Sequence, residues 1–239
     1  MQPTFRNLTE SFEGWAYRSG LSRRLSELEK ERLVERGGGS TRVHRLTAAG
    51  RVHALGGRDP DTCWSRHWDG CWRLVCFDIP TTKNSHRRHL RHYLHSLRFG
   101  LLQRSIWITP DPVDEQAQRL HLEKIDARSL VLMEARACGG ESDVDIVRAA
   151  WDFSRINELY TKHLRILEKR PTAKVKNNIQ ARALLGWAHD EHKAWIDAVR
   201  VDPLLPAVLL PSDYLGRRAW QGRVKQLAKI KHAIAGFQG

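Results

Sequence analysis

The chain has 239 residues, with 40 Lys and Arg against 27 Asp and Glu, and a formal net charge of +13 at pH 7. This length and a hydrophobic content of 41% suit a globular protein with a sizeable core and exclude a disordered chain. No apolar run approaches the ~18 residues of a membrane span, no signal-peptide pattern opens the sequence, and four scattered cysteines are too few for a disulfide scaffold.

The positive charge is concentrated in separate segments. Residues 1–58, 72–110 and 162–239 carry net charges of +5, +6 and +9, whereas residues 59–71 and 111–161 carry −2 and −5. Because summed positive potential attracts phosphates, these blocks predict a polyanionic partner such as a nucleic acid. The composition as a whole predicts a soluble cytoplasmic protein whose cysteines are free thiols.

The first predicted elements lie between residues 19 and 54. Ser22 is predicted to cap a helix that runs to about Arg32. The predicted elements that follow are a strand at 33–35, a glycine turn at 37–40, a strand at 42–46 and a helix that begins after Thr47. A helix, a basic hairpin and a further helix in this order are typical of a winged helix, whose first helix would enter the major groove of DNA.

Cations and hydroxyls of this segment are predicted to contact DNA. Arginine has the fork geometry that suits phosphate oxygens and guanine edges, and hydroxyls can hydrogen-bond to phosphates. The predicted DNA-binding residues are Ser22, Arg23, Arg24, Arg36, Thr41, Arg42 and Arg45. Glu27, Glu29 and Glu31 lie on the same predicted helix, and we expect them on its side away from DNA because carboxylates repel the phosphate backbone.

A linker predicted at residues 56–60 leads into a second segment. Its first strand, at 72–77, ends in the turn Asp78-Ile79-Pro80, since proline cannot continue a central strand. The next predicted elements are a basic helix at 83–97, a strand at 101–108, a polar helix at 113–125 and a strand at 129–135. This order is most of a ferredoxin-like sandwich, with one short strand unplaced.

The remainder is predicted to be helical. The predicted helices span 151–169, 176–199 and 215–234, with prolines between the last two. The fold class is therefore α+β. The predicted domains are a winged helix at 1–57, a ferredoxin-like βαββαβ domain at 70–138 and a helical domain at 150–239.

Three stretches of the sequence share the pattern of one protein family. They are the winged-helix-like residues 21–50, the segments WRLVCFDIP (72–80) and HLRHYLHSLRFGLLQRSIWITP (89–110), and the proline-punctuated DPLLPAVLLPSDYLGRRAW (202–220). Together they resemble the PaaX family of bacterial transcriptional repressors, and Trp151 and Tyr160 also resemble its pattern. The middle segments alone resemble the small CRISPR-associated ferredoxin-like nuclease, which has nothing like the proline-punctuated stretch.

The resemblance implies a DNA-binding winged helix, a nuclease-like central domain used for dimerisation and a helical C-terminal domain. It also implies repression of a catabolic operon, relieved by an aryl-CoA thioester such as phenylacetyl-CoA. The expected partners are double-stranded DNA, a second copy of the chain and a small-molecule effector of the acyl-CoA type, with no membrane partner. Family members usually have a longer N-terminal region, so either the winged helix is minimal or the true start lies upstream.

Asp78 is the one residue that would make the chain an enzyme. A carboxylate at the end of a central strand can hold a divalent metal, and two such sites across a dimer can cleave a phosphodiester. Asp78 is, however, the only acid in residues 72–110, and such an aspartate also serves to accept backbone N–H bonds in a turn. With no P-loop or other catalytic motif present, we expect a regulator without enzyme activity, metal or cofactor. The alternative is a metal-dependent nuclease or CRISPR-associated accessory protein.

A histidine series lies on the predicted basic helix. His86, His89, His92 and His95 recur at every third residue. On a helix this spacing spreads the side chains over about half the circumference, so it favours a titratable surface over a metal site.

Two further features leave alternatives open. The nine tryptophans are expected mostly in the core, although some would suit a pocket for a flat aromatic group. The charge of +9 in residues 162–239 suits either contact with flanking DNA or binding of the phosphates of a CoA-type ligand.

Overall fold

The structure is a computed structural model that describes residues 21–36, 44–80, 82, 84–113, 130–171 and 178–235. The chain divides into two units, Met1–Asp59 and Pro60–Gly239. Each unit contains helices and an antiparallel sheet, so the fold class is α+β as predicted. The turn at 37–40 and nearly all of the helix predicted at 113–125 lie outside the described residues.

The first unit contains a helix, a hairpin and a second helix. Its elements are α1 (Leu21–Lys30), β1 (Val34–Arg36), β2 (His44–Leu46) and α2 (Ala48–Ala54). Thr47 caps α2, because its hydroxyl accepts a hydrogen bond from the Gly50 N–H at 2.9 Å and donates one to the Arg32 carbonyl at 2.7 Å. The prediction that Ser22 caps α1 is wrong, since Ser22 lies within the helix and a capping residue has a non-helical backbone.

Gly50 allows α2 to lie directly on the segment that follows α1. A Cβ atom at Gly50 would lie 1.8 Å from the Leu33 carbonyl oxygen. The same carbonyl accepts a hydrogen bond from the Thr47 N–H at 3.0 Å. This close backbone approach fixes α2 against the start of β1.

The second unit begins with a short helix and contains the larger sheet. Its elements are α3 (Pro60–Ser65), β3 (Trp72–Phe77), α4 (Asn84–Ser96), β4 (Gly100–Gln103), β5 (Ile106–Thr109), β6 (Leu130–Ala135), α5 (Asp143–Ala150), α6 (Phe153–Glu168), α7 (Asn178–Val201), a 3-10 turn (Ala207–Leu209) and α8 (Gly216–Ala235). The sequence analysis did not identify α3 or α5, which are short. Proline in the first turn suits α3, and a capping box between Ser142 and Asp145 begins α5.

The sheet has the order β4-β5-β3-β6, and every neighbouring pair is antiparallel. The prediction of one strand at 101–108 is wrong, because this stretch forms two strands joined at Arg104 and Ser105. The polar run Gln103-Arg104-Ser105 interrupts the apolar residues and allows the chain to turn back. The hairpin supplies the strand that the sequence analysis left unplaced.

Both faces of the sheet are covered, at least in part. On one face, Val75, Phe77 and Trp107 pack with Leu90 and Leu94 of α4. On the other face, Trp72 and Ile108 join a core built with the C-terminal helices. This core includes Trp151, which lies between α5 and α6, and the helical residues Phe153, Tyr160 and Trp195. Six of the eight described tryptophans are buried, which confirms that most of them lie in the core.

At Gly100 the sheet packs closely against the end of α5. A Cβ atom at Gly100 would lie 2.6 Å from the Trp151 ring and 2.8 Å from the Ala150 Cβ atom. The Trp151 indole N–H donates a hydrogen bond to the Arg98 carbonyl at 3.2 Å.

Among the described residues, no helix is long and apolar enough to cross a membrane.

Candidate nucleic-acid interface and ligand pocket

The first unit carries the residues predicted to contact DNA. Arg23 on α1, Arg36 on β1 and Arg45 on β2 have exposed side chains. Ser22 and Arg24 lie on α1, where the structure describes their backbone only, and Thr41 and Arg42 lie outside the described residues. The structure therefore places three of the seven side chains on the surface of one helix and its adjoining hairpin.

Glu29 connects α1 to both strands of the hairpin. Its carboxylate accepts hydrogen bonds from Arg36 Nε at 2.8 Å and Nη2 at 3.2 Å, and His44 Nε2 lies 3.2 Å from it. The hydrogen bond from Arg36 lowers the pKa of Glu29 below its ordinary value. Part of the positive charge of the hairpin is therefore neutralised within the chain, and Glu29 faces the hairpin.

The cations of this unit differ in their pairing. Arg23 lies 3.1 Å from the Glu27 carboxylate, one helical turn away. Arg32, Arg45 and Arg51 are exposed, and no carboxylate among the described residues lies within ion-pair distance of them. Arg32 and Arg51 were not among the residues predicted to contact DNA. Within the described part of this unit, these three arginines are the most available to phosphates.

We expect the substitution Glu29→Gln to strengthen binding to duplex DNA. Glutamine can still accept the hydrogen bond from Arg36, but it removes one negative charge and leaves the Arg36 charge available to a phosphate. The slope of a plot of log K, where K is the association constant for DNA, against log salt concentration should become steeper by about 0.9. The measurement is fluorescence anisotropy with a labelled duplex at several salt concentrations.

Glu31→Gln is the control for that experiment. Glu31 is exposed on the turn after α1 and has the same charge as Glu29, but no cation of the described chain pairs with it. An equal effect of both substitutions would mean that net charge alone, and not the release of Arg36, controls the affinity.

The residues that suggested metal chemistry are dispersed. Asp78 is exposed immediately after β3, and no group of three His, Cys, Asp or Glu side chains suited to a metal ion occurs among the described residues. Histidines 86, 89, 92 and 95 are all exposed on α4, whereas Leu90 and Leu94 of the same helix are fully buried. The described part of the chain therefore offers a basic helix surface here.

A pocket of about 440 Å³ lies between α3, the 3-10 turn and α8. It is lined by Asp61, Thr62, Trp64, Ser65, Ala207, Arg217, Trp220 and Gln221. The Trp220 indole donates a hydrogen bond to Asp61 at 2.8 Å, whereas Arg217 has no ion-pair partner within the described chain. An indole face beside a guanidinium group suits a ligand that combines a flat apolar part with a negative charge.

The pocket wall is continuous with the helical core. Trp220 packs on Trp195 with ring centroids 5.3 Å apart and an angle of 35° between the planes. Trp195 is fully buried and in turn contacts Tyr160 and His163, with centroids 6.0 and 5.4 Å apart. A change in the position of Trp220 would therefore act directly on residues at the centre of the core.

Asp202 holds the start of the proline-punctuated segment. Its buried carboxylate accepts hydrogen bonds from the Tyr160 hydroxyl at 2.6 Å, from the Leu204 N–H at 2.8 Å and from the Tyr214 hydroxyl. Burial, together with the charge of Asp202, raises the pKa of both tyrosines well above the ordinary value. This network explains in physical terms why the segment has an aspartate at its first position and a tyrosine near its end.

A second buried polar group joins the three long helices. Glu191 of α7 lies 2.8 Å from His163 Nε2 of α6 and 2.7 Å from Arg223 Nη1 of α8. The Arg223 guanidinium also lies over the Trp195 ring, 5.1 Å from its centroid. Burial lowers the pKa of Arg223, and Glu191 opposes that shift. Sequence analysis missed these residues, although Glu191 shares the spacing of the apolar Trp187 and Trp195 on α7.

Comparison with known proteins supports an assignment for the central segment. Residues 65–147 match the family model described as the PaaX protein central Cas2-like domain. This match confirms the resemblance drawn from residues 72–80 and 89–110. A search of curated proteins gave no match.

One solved structure is similar over most of the chain. It is the uncharacterized protein Rv0674 from Mycobacterium tuberculosis, with a TM-score of 0.52 and 24% sequence identity. The alignment covers 91% of this chain and 83% of that chain. A similarity at this level of identity establishes the fold alone.

Proposed function

We propose that this chain, whose residues 65–147 match the model of the PaaX central Cas2-like domain, is a DNA-binding transcriptional regulator. The family match is the observation that carries the proposal. In it, a winged helix at 1–57 binds duplex DNA, a ferredoxin-like domain at 70–138 holds a homodimer and helices at 150–239 respond to a small ligand.

The local architecture supports the first two domains of this proposal. The first unit has the order helix, hairpin, helix, and Arg32, Arg45 and Arg51, which have no carboxylate partner among the described residues, provide cations for phosphates. In the sheet, the first and third strands of the second unit, β3 and β5, are adjacent and central, with β4 and β6 at the edges. This is the strand order expected of a ferredoxin-like domain.

We further propose that the regulator is a repressor that an acyl-CoA-type ligand releases. The pocket beside Trp220 and Arg217 supports this because it offers an aromatic face and a cation. A ligand can change DNA binding only if its affinity differs between the DNA-bound and free states. The contact between Trp220 and Trp195 provides a route by which occupancy of the pocket would favour one state.

Sequencing of genomic fragments retained by the purified protein tests the proposed function. We expect enrichment of a preferred, pseudo-palindromic site, and binding to that site should weaken strongly as salt rises. Retention of fragments without a common sequence would instead indicate a non-specific nucleic-acid scaffold. Incubation of labelled DNA and RNA with Mg²⁺ or Mn²⁺ tests the nuclease alternative, which cleavage abolished by Asp78→Asn would favour.

Arg217→Gln is expected to weaken the response to the ligand. Loss of a charge-assisted hydrogen bond costs about 1.5–3 kcal/mol, so the phenylacetyl-CoA concentration that releases half of the bound site should rise about tenfold or more. The measurement is a titration of the protein–DNA complex with this probe. Lys193→Gln, which removes an exposed charge from α7 away from the pocket lining, should leave that concentration unchanged. An equal response of wild type and Arg217→Gln would show that the ligand binds elsewhere.

A further inference from the structure

Helix α8 has an unusual charge composition. Its 20 residues, GRRAWQGRVKQLAKIKHAIA, include six Lys and Arg and no Asp or Glu. One of these cations, Arg223, is buried against Glu191, and Arg217 lines the pocket. The repressor model assigns no role to the others.

Three of the remaining cations form one exposed row. Arg218, Lys225 and Lys229 are exposed, and at about 100° per residue they fall within about 40° of one another around the helix axis. At a rise of about 1.5 Å per residue, the row extends about 16 Å along the axis. Arg223 faces the opposite side of α8, toward the core. We refer to Arg218, Lys225 and Lys229 as the α8 row.

The α8 row is not neutralised by the described part of the chain. No carboxylate there lies within ion-pair distance of the three side chains. Some exposed cations elsewhere in this unit do have such partners, as in the pairs Arg148–Asp213 and Arg155–Glu158. Three like charges in a line repel one another unless a partner of opposite charge binds along them.

We propose that the α8 row binds the phosphate backbone of duplex DNA, as a contact additional to that of the first unit. Duplex DNA carries one negative charge per about 1.7 Å of its axis, so a straight row of about 16 Å can reach several phosphates. A straight row of exposed cations along one helix follows the spacing of phosphates and not that of base edges, so we expect its contribution to be independent of sequence. This inference rests on the proposed function and accounts for part of the positive charge of residues 162–239.

The test replaces all three residues of the row, as Arg218→Gln, Lys225→Gln and Lys229→Gln in the full-length chain. Binding to a fluorescein-labelled duplex of mixed sequence is measured by anisotropy from low to moderate salt. We expect the slope of log K against log salt concentration to become shallower by about 2 to 3, because each lost phosphate contact removes about 0.9. Affinity should fall by the same factor for duplexes of different sequence.

The control is a triple variant of α6 and its C-terminal cap, with Lys162→Gln, Arg165→Gln and Lys169→Gln. These side chains are also exposed, but α6 contains Glu158 and Glu168 beside them. The control variant should keep nearly the full slope. Circular dichroism and thermal unfolding of both variants exclude a loss of fold as the cause.

Each other outcome contradicts the proposal, and each one shows which step of it fails. A wild-type chain that does not bind duplex DNA refutes the proposed function together with this inference. Wild-type binding with an unchanged slope in the α8 variant refutes this inference alone. Equal losses in the α8 and α6 variants would mean that net charge, not this row, governs binding. Loss of binding to anionic lipid vesicles, with duplex binding intact, would assign the row to a membrane surface instead.

Discussion

Replacement of Gly50 by alanine is expected to unfold the first unit and abolish DNA binding. Alanine normally stabilises a helix interior relative to glycine, by about 1 kcal/mol. At Gly50, however, the added methyl group would lie 1.8 Å from the Leu33 carbonyl oxygen, and no side-chain rotation can relieve a contact with backbone. Helix α2 would have to move away and lose the hydrogen bonds that Thr47 donates to the Arg32 and Leu33 carbonyls. We expect a cost of about 4 kcal/mol or more, which hydrogen exchange of amides in this unit would measure.

Gly57→Ala provides the comparison. Gly57 is also a glycine of the first unit, but its backbone has a φ of +88°. A Cβ atom built on Gly57 would have no atom within 4 Å of it. Alanine there should cost only the left-handed backbone strain, about 1–2 kcal/mol. Equal destabilisation by the two substitutions would contradict the packing described for Gly50.

Removal of the Glu191 carboxylate is expected to have the largest effect on the second unit. Glu191→Ala leaves the buried Arg223 charge without its partner and leaves His163 Nε2 without its hydrogen bond. Breaking a buried ion pair in this way costs about 3–5 kcal/mol. The free energy of unfolding from urea titration should fall by this amount, with the m-value unchanged.

A double substitution separates the charge effect from packing. Glu191→Leu with Arg223→Leu removes both charges and fills part of their volume, so it should be less destabilising than Glu191→Ala alone. Glu191→Gln, which retains a hydrogen-bond acceptor, should lie between wild type and Glu191→Ala. Should the double variant prove the least stable of the set, the interaction of Arg223 with Trp195, and not its charge pairing, would be the main stabilising contact.

Local sequence pattern was sufficient to predict several elements and their exposed faces. Strand β3 was predicted with its observed bounds, since an apolar run that ends at Pro80 leaves few alternatives. On α4, the spacing of the four histidines predicted a titratable surface, and the structure has all four exposed. The β4–β5 hairpin was missed because a short polar break inside an apolar run is a weak signal for a turn.

The hydrogen-bond partners of the buried polar residues were not predictable from the local sequence pattern. Asp202 receives hydrogen bonds from tyrosines 42 residues before it and 12 residues after it, and Glu191 contacts residues on two other helices. A single sequence gives no indication of which distant residues will satisfy a polar side chain. The same limit applies to Glu29, whose ion pair with Arg36 depends on how the hairpin folds back over α1.

The close approach at Gly100 restricts how two copies of the chain can assemble. The C-terminal helices close the part of the sheet face that holds Trp72 and Ile108, so two sheets cannot stack through that surface. A symmetric dimer of this domain would instead meet along a strand edge, beside α4 or through the part of the same face over β6 that these helices leave uncovered. Of the two edges of the described sheet, β6 carries the more exposed apolar side chains, with Val131 and Met133 at 53% and 46% exposure. A two-fold axis next to β6 would bring these residues of both copies together and remove them from water.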